Sequence, residues 1–172
     1  MPNWCDCELH VYGKPTELKR LKETAQGDRP LDFNKITPYP KAWAELDKKS
    51  QEWWDAFQKL TPTQRMEWEK TNPRPKDGYN SGGYDWCNNN WGVKWNASEP
   101  SLRECKRSMV YNFDTAWGPP YLIVEKLGKM FPTLRFVLKY FEQGCAFQGK
   151  FVVELSKAIY NEQKEYHGHR GG

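Results

Sequence analysis

Two cysteines spaced two apart, Cys5 and Cys7, come closest to a chemical site in this 172-residue chain. On a strand they share a face and could present two thiolates together. A zinc or iron–sulfur centre takes about four clustered ligands, however, and no CxxC pair or neighbouring histidine supplies the rest. Free cysteine is among the most buried residue types, so core packing is the expected role of both. His10 falls on the opposite face of the same strand, with no nucleophile or carboxylate at a spacing suited to acid–base work. His167 and His169 sit in a glycine-rich tail and are assigned no role. The chain contains no GxSxG elbow, no Cys–His pairing at a recognised spacing, no P-loop and no GxGxxG, and Gly82-Gly83 alone is too little to cradle a phosphate. The expectation is therefore no catalytic residue, no metal and no cofactor.

The aromatic residues point elsewhere. Nine Trp, nine Tyr and eight Phe must supply most of the buried area. The segment from Trp86 to Asn96 is unusually dense in Trp and Asn. Exposed Trp beside Asn and Lys offers rigid contact area with hydrogen-bonding reach, as at interface hot spots. Trp86, Trp91, Lys94, Trp95 and Asn96, with Trp53 and Trp54, are thus the candidate contact residues. The competing expectation is that Trp91 and Trp95 are core, with their indole N–H groups bonded to backbone. Aromatics near Arg103, Lys106 and Arg107 also suit a stacking platform for single-stranded nucleic acid. No RNP1-like run is present, and Glu99 and Glu104 dilute the charge there. The net charge of +4 is the difference between 26 basic and 22 acidic residues interleaved along the chain, so no one-sided basic stripe stands out.

Alternation of Cys5, Cys7, Leu9 and Val11 against Asp6, Glu8 and His10 predicts a half-buried strand over residues 3–13. Pro15 then opens a short helix carrying Leu18, Leu21 and Ala25. Leu31, Phe33 and Ile36 suggest a second strand. From residue 41 to 80 the pattern becomes that of a helical insertion: Trp43, Leu46, Trp53, Phe57 and Leu60 recur near heptad spacing, and Thr61-Pro62-Thr63-Gln64 reads as a capping box. Residues 72–85, with two prolines and three glycines, favour a mobile loop. Met109, Tyr111 and Phe113 alternate as a strand, Gly118-Pro119-Pro120 opens a helix using Ile123, Val124, Leu127 and Phe131, and residues 134–140 and 151–155 form a hairpin. Strand-helix-strand, insertion, strand-helix-strand-strand describes an α+β domain, a ferredoxin-like antiparallel sheet of the split β-α-β kind with both helices on one face. The whole of residues 1–172 is read as one domain. An odd cysteine count with no leader-like segment before it suggests reduced thiols in a cytosol. No apolar run approaches the roughly 20 residues of a membrane span.

Met1-Pro2-Asn3-Trp4-Cys5, Asn90 through Ala97, Thr115 through Pro120 and Tyr140 through Gly149 together resemble the YubB ferredoxin-like family of plasmid and phage proteins, in the family's order. The resemblance covers most of the chain outside residues 41–80. It implies the fold and a home on mobile genetic elements, and it carries no reaction with it. In that setting the expected function is a non-enzymatic interaction protein, an inhibitor of a host defence system such as a CRISPR effector. Its partner would be a host protein or protein–nucleic acid complex. Direct nucleic-acid binding through an aromatic and basic surface is the alternative.

Overall fold

The computed structural model describes residues 3–168. They divide into two compact units, one of residues 39–86 and one of the segments on either side. The flanking segments build a six-stranded sheet. Its strands are β1 (Trp4–Tyr12), β2 (Ser98–Cys105), β3 (Ser108–Ala116), β4 (Arg135–Glu142), β5 (Phe147–Glu154) and β6 (Lys157–Glu165), in the order β2-β3-β1-β4-β5-β6. Every neighbouring pair is antiparallel.

β1 lies in the middle because its alternation suits burial on one side. Cys5, Cys7, Leu9 and Val11 are buried and pair across with Thr115, Phe113, Tyr111 and Met109 on β3. On the other side they meet Glu142, Tyr140, Leu138 and Phe136 of β4. Helix α1 (Pro15–Ala25) begins with proline at its first turn and adds Leu18, Leu21 and Ala25 to this core. Helix α6 (Tyr121–Met130) adds Ile123, Val124 and Leu127 and packs on β4, β5 and β6. At about 1.5–3 kcal/mol per buried large apolar side chain, this layer dominates the stability of the unit.

Three points differ from expectation. Leu31, Phe33 and Ile36 do not form a strand: Phe33–Ile36 is a short helix, α2, started by the Asp32 carboxylate accepting from the Asn34 N–H. The three-residue spacing of Phe33 and Ile36 fits one helical face, and both are buried. The strand that pairs with β3 is instead Ser98–Cys105, after the 39–86 unit. The sixth strand, β6, was not foreseen, because it is exposed along its whole length and shows no alternation. Gly118-Pro119-Pro120 does open α6 as expected, with Pro120 in the cap position before Tyr121.

The 39–86 unit carries α3 (Lys41–Gln58) and α4 (Pro62–Thr71), with both halves of the Thr61–Gln64 capping box formed. Trp53 stacks on Phe57 at 5.0 Å and meets Trp68 at 5.2 Å, and its indole N–H donates to Asn72 O. No residue of either helix is fully buried. Part of the expected loop is regular: Tyr79–Gly83 makes a wide helical turn running into α5 (Tyr84–Trp91). The turn kinks at Gly82, whose φ of 131° excludes other residues, and a Cβ there would press on the Trp43 ring. Among the described residues, no helix is long and apolar enough to cross a membrane.

Candidate functional site

The four segments singled out from sequence meet at one end of the sheet. Thr115 is fully buried, and its hydroxyl donates to Gly118 O at 2.7 Å. The Cys7 thiol lies 3.4 Å from Thr115 Oγ1 and 3.6 Å from Cys5 O, an acceptor for its proton. These bonds tighten the exit of β3, and the Trp117 N–H donates to Asn3 O at 2.9 Å. Trp117 is thereby held at φ 72°, a left-handed conformation that a bulky side chain rarely adopts. Its ring is half exposed, at 50%.

Around it stand two further exposed indoles, Trp4 at 41% and Trp95 at 39%, with ring centroids 6.0 Å apart. The Lys94 ammonium lies 4.2 Å from the Trp95 centroid and 5.5 Å from that of Trp117. Among the described residues Lys94 makes no ion pair, and the three indole N–H groups have no acceptor. Three rigid aromatic faces, one cation and three free donors form one exposed patch. Such residues dominate binding energy when a partner excludes water from them.

Beneath the patch lies a buried polar layer with little reactivity of its own. The Cys5 thiol is pushed far up by its hydrogen bond with Cys7 and by burial, so it stays protonated and is a poor nucleophile. Tyr140 and Tyr121 share a hydrogen bond between their hydroxyls, and burial raises both phenols. The Glu142 carboxylate, 1% exposed, accepts from the Gly144 and Cys145 N–H groups and closes the turn into β5. All five cysteines are free thiols, with Cys105 and Cys145 exposed. Among the described residues, no group of three or more His, Cys, Asp or Glu could hold a metal ion. His10 contacts Glu8 at 3.0 Å and stacks on Tyr12. His169 lies outside the described residues.

The residues expected to make contacts divide into two sets. Lys94 and Trp95 stand in the exposed patch. Trp91 does not: it is 4% exposed, its indole N–H donates to Thr37 O at 2.9 Å, and it packs edge-on against Phe33. Asn96 is a staple, accepting from the N–H groups of Phe33 and Ala97 and donating to Asp32. Trp86 packs edge-on against Tyr39 within the 39–86 unit. There Trp53 belongs to the helical aromatic cluster, while Trp54 is 40% exposed with the Arg74 guanidinium 5.6 Å from its ring. Sequence reasoning missed Trp4 and Trp117. Both lie in the segments that carry the family resemblance, which was the available pointer to them.

The other face of the sheet carries charge. Asp6 of β1 is directly opposite Asp114 of β3. The Asp114 carboxyl is pushed above its ordinary range, first by burial and then by the Asp6 and Glu99 carboxylates. A carboxyl raised in this way contributes stability below its unfolded pKa and loses it as pH rises through the folded value. At neutral pH the ionised group is therefore a burden. Asp114→Asn is expected to raise stability at pH 7 by roughly 0.5 kcal/mol after solvent screening. The gain should vanish near roughly pH 3, where the wild-type group is protonated. Thermal melts at the two pH values check this, and a loss at pH 7 would refute it.

Comparison with known proteins agrees with this architecture. A family model described as the ferredoxin-like domain in Api92-like protein matches residues 90–169. Among solved structures the chain is similar to protein api92 from Yersinia pseudotuberculosis, with a TM-score of 0.58 at 11% identity, covering 99% of this chain and 100% of that one. At that identity the likeness is one of fold. No curated protein matches the chain. The sheet and its helices are an α+β, ferredoxin-like domain, similar in sequence over residues 90–169 to that of Api92-like protein.

Proposed function

We propose that this chain is a non-enzymatic interaction protein and that Trp4, Lys94, Trp95 and Trp117 form its partner-facing surface. The observation that carries the reading is Trp117, a large side chain held half exposed at φ 72°. Left-handed backbone costs a non-glycine residue about 1–2 kcal/mol, and that cost persists where neighbouring structure imposes it, most often at functional sites. We read the sheet as a split β-α-β plan with α1 and α6 on one face. The YubB resemblance supports a plasmid or phage setting, and in that setting the role we favour is inhibition of a host defence complex, such as a CRISPR effector, in the host cytosol.

Stacking of nucleic-acid bases across the central strands is the less favoured reading. Asp6 and Asp114 face each other on β1 and β3, where such a strand would lie, and repel phosphate. The test is affinity capture from host lysate with tagged protein, followed by mass spectrometry. A stoichiometric protein partner is expected; recovery of none would count decisively against the proposal.

A further inference from the structure

The charged face of the sheet is divided. Its β1 and β3 side carries Asp6 and Asp114, while the β4, β5 and β6 side carries lysines. Lys139 of β4 is directly opposite Lys150 of β5, and Lys164 of β6 pairs with Gln148, two residues along β5 from Lys150. These residues, with Tyr140, Gly149 and Glu162, line a cavity of about 190 Å³. Like charges directly opposite on neighbouring strands are destabilising unless something neutralises them.

Two carboxylates lie in the same cross-strand row, Glu8 opposite Lys139 and Glu162 opposite Lys150, and each also has another partner. Among the described residues Lys139 makes no ion pair, and Glu8, opposite it on β1, contacts His10 at 3.0 Å. The Lys150 ammonium lies 5.7 Å from the Tyr160 centroid. Glu162 is the one carboxylate lining the cavity, and it pairs with Lys164 at 3.7 Å. Three ammonium groups thus meet one carboxylate around a space large enough for a phosphate group, with the Gln148 amide, which donates to Glu165 O at 3.3 Å, at the rim.

We propose that this cavity binds a phosphate group, carried either by a free nucleotide or by the backbone of a nucleic-acid strand. The site is separate from the Trp4–Trp95–Trp117 patch, so either proposal can fail without the other. An anion seated between Lys139 and Lys150 turns their mutual repulsion into two charge-assisted contacts, and Lys164 supplies the third.

The experiment titrates the full chain with ATP and with a twelve-residue oligothymidylate at low and moderate salt. The wild type is compared with Lys139→Gln/Lys150→Gln and with Lys48→Gln/Lys49→Gln on α3 as a control for nonspecific charge. Saturable, salt-sensitive binding is expected, weakened roughly tenfold in the first variant and unchanged in the control. The melting temperature of the first variant should hold or rise, since a like-charge pair is removed; a merely structural role for these lysines would lower it. If that variant is destabilised, Lys164→Gln on the exposed edge decides: about threefold weaker binding supports the site and none overturns it. Tighter binding of the oligonucleotide assigns the phosphate to a nucleic-acid strand, and tighter binding of ATP assigns it to a nucleotide. Absence of saturable binding to both, or equal loss in the Lys48/Lys49 control, overturns the proposal.

Discussion

Gly149→Ala is expected to cost about 3 kcal/mol, at the upper end of what overpacking usually does. A Cβ at this position of β5 would overlap the Tyr140 hydroxyl and the backbone oxygen of Glu162. Neither can easily retreat. The Tyr140 hydroxyl is bonded to that of Tyr121 and packed beneath the sheet, and the Glu162 carbonyl belongs to a strand whose position the β5–β6 pairing sets. The overlap must therefore be relieved by moving β6 or by displacing the phenol pair. For a chain of this size, 3 kcal/mol corresponds to roughly a 6–12 °C fall in melting temperature. Adding Tyr140→Phe removes the hydroxyl but leaves the ring Cζ, itself 2.5 Å from the added Cβ, so the double variant should recover little of the loss. Hydrogen exchange should locate the opening in β5 and β6, leaving β1 and β3 protected. A single variant melting within about 2 °C of wild type would mean that the strand edge yields more freely than its contacts imply.

The position of Gly149 also shows what could be read from the chain and what could not. β1 was legible because a strand buried on one face prints a two-residue period, and Cys5, Cys7, Leu9 and Val11 repeat it without interruption. The Thr61–Gln64 box was legible because its bonds are local. β6 was not, since a strand exposed on both faces obeys no hydrophobic period, and its partner is chosen by the hairpin before it. β2 hides for a related reason: it is an edge strand interrupted by Pro100, with only Leu102 apolar among its first seven residues. Leu31 and Phe33 fit a strand whereas Phe33 and Ile36 fit a helical turn, and the Asp32 cap decides between them. The patch was half legible. Trp95 and Lys94 drew attention through local density, whereas Trp4 and Trp117 join them only once β1 and β3 pair, a contact between distant segments that no local pattern records.

Trp117→Gly should then separate recognition from stability. Three contributions to folding change with this substitution, and they nearly cancel. Relief of the left-handed backbone returns about 1–2 kcal/mol. The added freedom of glycine in the unfolded chain takes back about 0.5–1 kcal/mol, and loss of the Lys94 contact takes about as much again. The melting temperature is expected to stay within about 2 °C of wild type. Binding has no such compensation. An exposed indole that becomes enclosed in an interface contributes about 2 kcal/mol, so recovery of the captured partner, or its measured affinity, should fall roughly thirtyfold. Trp4→Ala and Trp95→Ala should weaken capture in the same direction, whereas Trp54→Ala, in the helical unit, should leave it unchanged. A variant that loses several kcal/mol of stability would make Trp117 a structural residue, and one that is stable with undiminished capture would move the contact surface elsewhere. Only the combination of intact folding and lost binding is what a strained, exposed tryptophan kept for recognition produces.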